Sequence, residues 1–223
     1  MSTIFITASG TGVGKTLLTR LAIAQLRSSG ATINALKPVV TGFDPTDAET
    51  SDPGLLLAAL GRAVDTAELD RISPWRFRAA LSPDMAAARE RRSIPFDQLI
   101  DFCRPRTDDT LTLVEGVGGV LVPLDDDHTV TDWIVALGAP AVLVTGSYLG
   151  AISHTLAALQ SLQARGIEVR SIVVSASAEE PVPTQETART LARHGRTVPV
   201  FVLPRMTATM RAPEVSPMLG LGD

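Results

Sequence analysis

The chain has 223 residues, 45% of them hydrophobic and 20% charged, with a formal net charge of −4 and a pI near 5.4. That size and apolar content suit one α/β domain with a full core and argue against disorder, while the acidic balance argues against nonspecific nucleic-acid binding. A single cysteine, Cys103, excludes an internal disulfide and fits a reducing compartment, and no apolar run reaches the roughly 18 residues of a membrane helix.

Residues 3–8 form a short apolar run that reads as a strand. It leads into Ser9-Gly10-Thr11-Gly12-Val13-Gly14-Lys15-Thr16 and then a helix over 16–29, whose apolar face carries Leu17, Leu18, Leu21, Ile23, Ala24 and Leu26. Successive N–H groups of such a loop can wrap an anion, and the helix adds its positive dipole end. Lys15 would reach the β- and γ-phosphates of a nucleotide, and the Thr16 hydroxyl would coordinate Mg²⁺. The strict spacing wants glycine where Ser9 stands; Gly-Lys-Thr arising by chance at a helix cap is the bland alternative. A cleaved leader would destroy this loop, so a cytoplasmic protein is expected.

A second strand covers 33–36 and ends at Lys37-Pro38. Lys15 and Lys37 are the only lysines, against eighteen arginines. A compact ammonium at these positions does what a planar guanidinium fork cannot. Lys37 could neutralise a second anion beside the γ-phosphate, although taken alone it fits an ordinary surface lysine equally well. Residues 42–54, rich in Asp, Thr, Pro and Gly, read as a surface loop in which Asp44, Asp47 and Asp52 are candidate acids, Asp52 a weaker one than Glu115 below. The stretch 55–105 reads as mainly helical, broken near Pro74, Pro83 and Pro95, with Arg89-Glu90-Arg91-Arg92 as a solvated helix end.

Thr110 to Val114 reads as a strand that delivers Glu115-Gly116-Val117-Gly118-Gly119. A magnesium nucleotide site wants a carboxylate at the end of a neighbouring strand, where ligands bind in open α/β sheets. Glu115 fits that role, and its glycines permit close backbone approach. Further strands are expected at 141–145, 168–174 and 198–203, with helices near 151–165 and 184–194. Strands alternating with helices imply parallel pairing through right-handed crossovers, so a mainly parallel sheet covered by helices on both faces is expected. The whole of 1–223 is expected to be one P-loop NTPase-like α/β domain. His128, His154 and His194 are dispersed and make no metal-ligand spacing.

Taken in order, the motifs resemble those of the dethiobiotin synthetase family. The matching residues are Thr11-Gly12-Val13-Gly14-Lys15-Thr16, Lys37-Pro38-Val39 with Thr41, Ser51-Asp52, Ser82-Pro83 and Val114-Glu115-Gly116 with Gly118-Gly119. Pro123-Leu124, Asp132-Trp133, Leu149-Gly150 before His154, and Pro199-Val200 leading to Pro204 continue the match. The resemblance implies a Mg-nucleotide-dependent cyclo-ligase that closes the ureido ring of dethiobiotin from 7,8-diaminopelargonic acid and CO₂ or bicarbonate. The route passes through a carbamate and a carbamic–phosphoric anhydride. It also implies ATP as substrate, Mg²⁺ as cofactor, a homodimer, and no nucleic-acid or membrane partner.

Residue by residue, it implies catalytic roles for Lys37, Lys15 and Thr11, and magnesium on Thr16, Asp52 and Glu115. The nucleotide would lie on Gly12, Val13, Gly14, Lys15, Thr16, Glu115, Gly116, Gly118, Ser175 and Pro204. Thr41 and Lys37 would hold the carbamate end of the substrate. Leu149, Gly150 and Ser153 would hold its distant carboxylate, supplied by the partner subunit. The chain departs from the family pattern at Ala8 and Gly10, at Ser153 and Ser175 where the family has asparagine, and at Thr187 where some members have tyrosine. Ser175 bears on base selectivity. Arg211 and the tail containing Pro217 match nothing in the pattern. A related ATP-dependent ligase with a different substrate is the alternative. A P-loop switch ATPase is disfavoured, because no signature lysine precedes Lys15 and no basic amphipathic helix ends the chain.

Overall fold

The structure, a computed structural model, describes residues 2–105, 110–177, 182–195, 197–207, 210 and 212–221. The chain order begins with β1 (Ser2–Ala8), α1 (Lys15–Ser28), β2 (Ile33–Leu36), β3 (Val39–Thr41), a 3-10 helix (Pro45–Thr50), α2 (Asp52–Ala59) and α3 (Thr66–Ile72). It continues with β4 (Trp75–Phe77), α4 (Pro83–Arg89), α5 (Phe96–Cys103), β5 (Leu111–Glu115), α6 (Val130–Leu137) and β6 (Ala141–Thr145). The last elements are α7 (Ala151–Ala164), β7 (Val169–Ser175), α8 (Thr184–Gly195), β8 (Val200–Leu203) and a short 3-10 turn (Pro217–Leu219).

Among the described residues the main sheet has six strands in the order β2-β5-β1-β6-β7-β8, every neighbouring pair parallel. Such a sheet is buried on both sides, which is why β1, β5, β6 and β7 read as nearly continuous apolar runs. β6, for example, is buried at all five positions. From β1 the chain crosses through α1 toward the β2 edge; from β6 it crosses through α7 toward the β8 edge. Right-handed crossovers in opposite directions put α1 and α7 on opposite faces. They also make the gap between the carboxyl ends of β1 and β6 the point where the strand order reverses, the usual ligand crevice of such sheets. Parallel register sets Glu115 opposite Ile6, three residues short of the phosphate loop.

One sequence expectation needs correction, and the structure adds elements that were not expected. Residues 42–54 are not one loop: Asp44 accepts a hydrogen bond from the Thr46 N–H and opens the 3-10 helix, and α2 begins at Asp52. The stretch 55–105 is not only helical, since β4 pairs in parallel with β3 as a separate two-stranded sheet. Pro38, which has no N–H, separates β2 from β3, and its carbonyl accepts from the Trp75 N–H at 3.0 Å. Residues 130–137 are a helix, α6, opened by a reciprocal cap between Thr129 and Asp132. The expected boundaries at β7, α8 and β8 shift by one or two residues.

The segment 212–221 returns across the fold. Val215 and Leu219 are fully buried, and Met218 nearly so. Gln25 on α1 donates to the Pro213 carbonyl at 2.6 Å and accepts from the Val215 N–H at 2.9 Å. Ser171 at the start of β7 donates to the Met218 carbonyl. The tail therefore clasps α1 to β7. Arg211 lies outside the described residues.

Candidate active site

The phosphate loop leaves β1 and enters α1 through Gly14, which has φ +104°. A Cβ there would also lie 2.5 Å from the Ser175 hydroxyl. Glycine is thus required twice, by conformation and by space. No side chain caps the start of α1, so its first N–H groups face the crevice for an anion. Ser175, at the end of β7 and in register with Leu203 just before Pro204, lies against this turn.

Three elements then bring their oxygens together. The Thr16 hydroxyl lies 2.8 Å from Asp52 Oδ1 and 2.8 Å from Glu115 Oε1. One hydroxyl has one proton, so it satisfies one carboxylate at a time. Lys37 supplies the missing positive charge: its Nζ is 2.8 Å from Glu115 Oε1, 3.3 Å from Asp52 Oδ2 and 2.8 Å from the Gly116 carbonyl. Lys37 is 2% exposed and Glu115 not at all, so the reading of Lys37 as a surface lysine is excluded. Burial opposes the Lys37 charge, but the Glu115 and Asp52 carboxylates outweigh it and hold the ammonium above its ordinary range. Burial likewise opposes ionisation of Asp52, while Lys37 and the Thr16 hydroxyl hold its carboxyl low. Asp44 and Asp47, the rival acids, are exposed.

Lys15 donates to the Gly118 carbonyl at 3.0 Å. Burial, then the nearby Lys37 charge, pulls its ammonium down from the ordinary 10.5 to about 8, against the pull of Glu115 and Asp52. Lys15, Thr16, Lys37, Asp52, Thr11, Thr41, Gly12, Gly14 and Gly118 line one cavity of about 290 Å³. Val40 and Val117 complete its walls, and both escaped the sequence reading because valines in or just after a strand look like core.

Glu115 Oε2 is buried with no hydrogen-bond partner among the described residues. The donor set of two carboxylates and a hydroxyl is hard oxygen, as Mg²⁺ prefers when phosphates and waters supply the rest. No cluster of three or more His, Cys, Asp or Glu capable of holding a metal occurs among the described residues. The residues fit a nucleotide-borne magnesium rather than a fully caged ion.

Not every expected residue is in this cavity. Val13 packs on the core, and Leu149, Gly150 and Ser153 sit at the start of α7 instead. That start borders a second, mostly apolar cavity of about 390 Å³, lined by Ser9, Gly10, Thr11, Val120, Leu121 and His154 among others. Thr11 lines both. Leu149 is 87% exposed and Leu121 62%. Thr187 is buried on α8.

Sequence reasoning also missed a hydroxyl chain under the loop. Ser9 and Thr145 are 2.9 Å apart, Thr145 and Thr155 2.8 Å, and Thr155 lies 2.6 Å from the Ala151 carbonyl. With one proton each, all three bonds form together only if Ser9 donates to Thr145, Thr145 to Thr155 and Thr155 to the carbonyl. The chain ties the phosphate loop to the first turn of α7. Tyr148 and His154, 2.9 Å apart through the hydroxyl and Nδ1, stand beside it. His154 was part of the motif after Leu149-Gly150, but its pairing with Tyr148 was not legible in the sequence.

Comparison with known proteins bears on the family and the fold. A sequence family described as an AAA domain matches residues 2–212. The ATP-dependent dethiobiotin synthetase BioD of Acidiphilium cryptum (strain JF-5) is 49% identical over 91% of this chain and 93% of its own. That of Phenylobacterium zucineum (strain HLK1) is 46% identical over 92% and 89%. Among solved structures, the MinD cell division protein of Aquifex aeolicus superposes with a TM-score of 0.53 at 12% identity, covering 99% of this chain and 87% of that one. Cyanthece apo McdA gives 0.52 at 13% identity over 92% and 86%. The structural likenesses establish a P-loop NTPase-like α/β fold and nothing finer. A phosphate loop, a buried Lys37–Glu115 pair and near 50% identity over nine-tenths of the chain make it a member of the ATP-dependent dethiobiotin synthetase family and an enzyme of that kind.

Proposed function

We propose that the chain, as one P-loop domain over 1–223, closes the ureido ring of dethiobiotin from 7,8-diaminopelargonic acid, CO₂ or bicarbonate, and ATP. The observation that carries this is the meeting of Lys15, Lys37, Thr16 and Asp52 on one small cavity, with Glu115 buried behind it against Lys37 and Thr16. Activating a carbamate with a γ-phosphate forces like charges together, and two ammonium groups in a buried site offset that repulsion. Lys37 holds the carbamate on one amine, with Thr11 and Thr41 orienting that end, and Lys15 leaves the Gly118 carbonyl for the phosphates. A carbamate oxygen attacks the γ-phosphorus, and ADP departs. The second amine then attacks the carbonyl carbon of the mixed anhydride, losing a proton as phosphate leaves. Both amines are held on one substrate, so closure is effectively intramolecular. Thr16, Asp52 and Glu115 would hold Mg²⁺, which supplies charge neutralisation on the phosphate oxygens.

The apolar cavity suits the aliphatic body of the diamine, because it adjoins the phosphate cavity at Thr11. Its exposed Leu121, and the exposed Leu149 at the start of α7 beside it, support a homodimer. The partner's α7 start, at Leu149, Gly150 and Ser153, would then receive the distant carboxylate. Ser175 and Pro204 flank the base end of the nucleotide. Ser175 stands where the family pattern has an asparagine that reads adenine, which supports a relaxed choice of base. A reaction needing ATP and bicarbonate fits the cytoplasm.

The test is phosphate release with MgATP, bicarbonate and the diamine, product identified by mass, other nucleoside triphosphates in parallel. Diamine-dependent release with the cyclic urea is expected. Release indifferent to the diamine would overturn the substrate assignment in favour of a related ligase or a switch ATPase.

A further inference from the structure

Asp52 is the member of the oxygen cluster with the least obvious support. It belongs to neither the phosphate loop nor the main sheet, and its side chain is 45% exposed. Yet both its oxygens are aimed, Oδ1 at Thr16 and Oδ2 at Lys37. The aim comes from the junction it sits in. The 3-10 helix Pro45–Thr50 runs directly into α2, and Asp52 is the first residue of α2.

Two side-chain choices close that junction. The Ser51 hydroxyl donates to the Ala48 carbonyl at 2.6 Å and accepts from the Gly54 N–H at 3.3 Å, one hydroxyl bonding both helices. Gly54 lets the two backbones touch: a Cβ there would overlap the Ala48 carbonyl oxygen and lie 2.9 Å from its carbon and 3.1 Å from that of Glu49. These are backbone atoms, which cannot swing aside. Glycine inside a helix costs about 0.5–1 kcal/mol relative to alanine. At this position any other residue would wedge the 3-10 helix off α2.

We propose that Ser51 and Gly54 are positioning residues for the divalent-cation site, acting through Asp52. The proposal rests on the reading of Thr16, Asp52 and Glu115 as the magnesium ligands. It also gives a reason for a serine directly before the acid in the Ser51-Asp52 pair. The serine holds the junction, and the acid takes its direction from it.

The experiment titrates Mn²⁺ against the protein with ADP present, counting free Mn²⁺ by electron paramagnetic resonance. Wild type, Asp52→Asn, Gly54→Ala and Ser51→Ala are compared, with ADP affinity in EDTA and the melting temperature measured alongside. Supporting groups around metal ligands typically change metal affinity about 10–100-fold. Asp52→Asn and Gly54→Ala are therefore expected to weaken Mn²⁺ about tenfold or more, and Ser51→Ala severalfold. Metal-free ADP affinity should change less than about twofold in Ser51→Ala and Gly54→Ala, which leave the phosphate loop untouched, and should not fall in Asp52→Asn, which removes a negative charge beside Thr16. Weak Mn²⁺ binding in Asp52→Asn with unchanged binding in Gly54→Ala overturns the positioning role. Unchanged binding in Asp52→Asn overturns the metal assignment beneath it. If Gly54→Ala does not fold, Ser51→Ala decides, because it adds no atoms; unchanged Mn²⁺ affinity there also overturns the proposal.

Discussion

Lys37 and Glu115 lie 2.8 Å apart with side-chain exposures of 3% and 0%. Removing one partner of a buried pair strands the other charge, at about 3–5 kcal/mol. Lys37→Ala is therefore expected to abolish ring closure and also to lower stability by about 3 kcal/mol in urea melts. The double variant Lys37→Ala/Glu115→Gln should regain much of that stability and none of the turnover; near-full turnover in Lys37→Ala would remove Lys37 from the mechanism. Gly14→Ala is expected to weaken nucleotide binding by more than about tenfold in calorimetry, since a methyl group must displace Ser175 in a backbone region side chains avoid. Lys15 was legible in the sequence because its loop is local. Lys37 was ambiguous because its partner lies 78 positions away, and no local pattern carries such a pairing.

At the scale of elements, Asp132 shows what a family motif can mean without chemistry. It accepts from the Thr129 N–H and hydroxyl at the start of α6, and Arg165 donates to its other oxygen at 2.7 Å. Burial opposes its ionisation, but the Thr129 bonds and Arg165 win, and the carboxyl sits at about 2 rather than 3.8. The unfolded chain then takes up the proton more readily, so this contribution is complete above about pH 4 and fades as pH falls toward 2. Asp132→Asn should cost about 1–2 kcal/mol at pH 7, with the gap in urea midpoint closing between about pH 4 and 2.5. Long periodic elements such as α1 and α7 were legible. The 3-10 helix over 45–50 was not, because its Pro, Asp and Thr content is also that of a loop. β3 and β4, three residues each, are too short to show a period. α6 was readable from Val130, Trp133, Ile134 and Leu137 at helical spacing, which the glycine-rich stretch before it masked.

For the whole molecule, a charged cavity and a mostly apolar one meet at Thr11, and the proposed function assigns phosphate chemistry to the first and the aliphatic substrate to the second. If the apolar side is completed by a second copy, Leu149→Asp and Leu121→Asp should each yield monomers by light scattering. Both variants should lose diamine-dependent phosphate release, and Leu149→Asp should still bind MgATP within about threefold of wild type, because Leu149 is not among the residues lining the phosphate cavity. A dimer that survives both charges would place the interface elsewhere. No helix among the described residues is long and apolar enough to cross a membrane.

The clasp on α1 has a consequence in time. Gln25 finds its partners 188 and 190 positions later, in Pro213 and Val215. At about 5–20 residues per second, a ribosome needs roughly 10–40 s to travel from one to the other. A half-made chain therefore carries its phosphate loop well before the segment that steadies the helix behind it. The length of that unsecured interval is set by the pace of translation and not by any property of the finished fold.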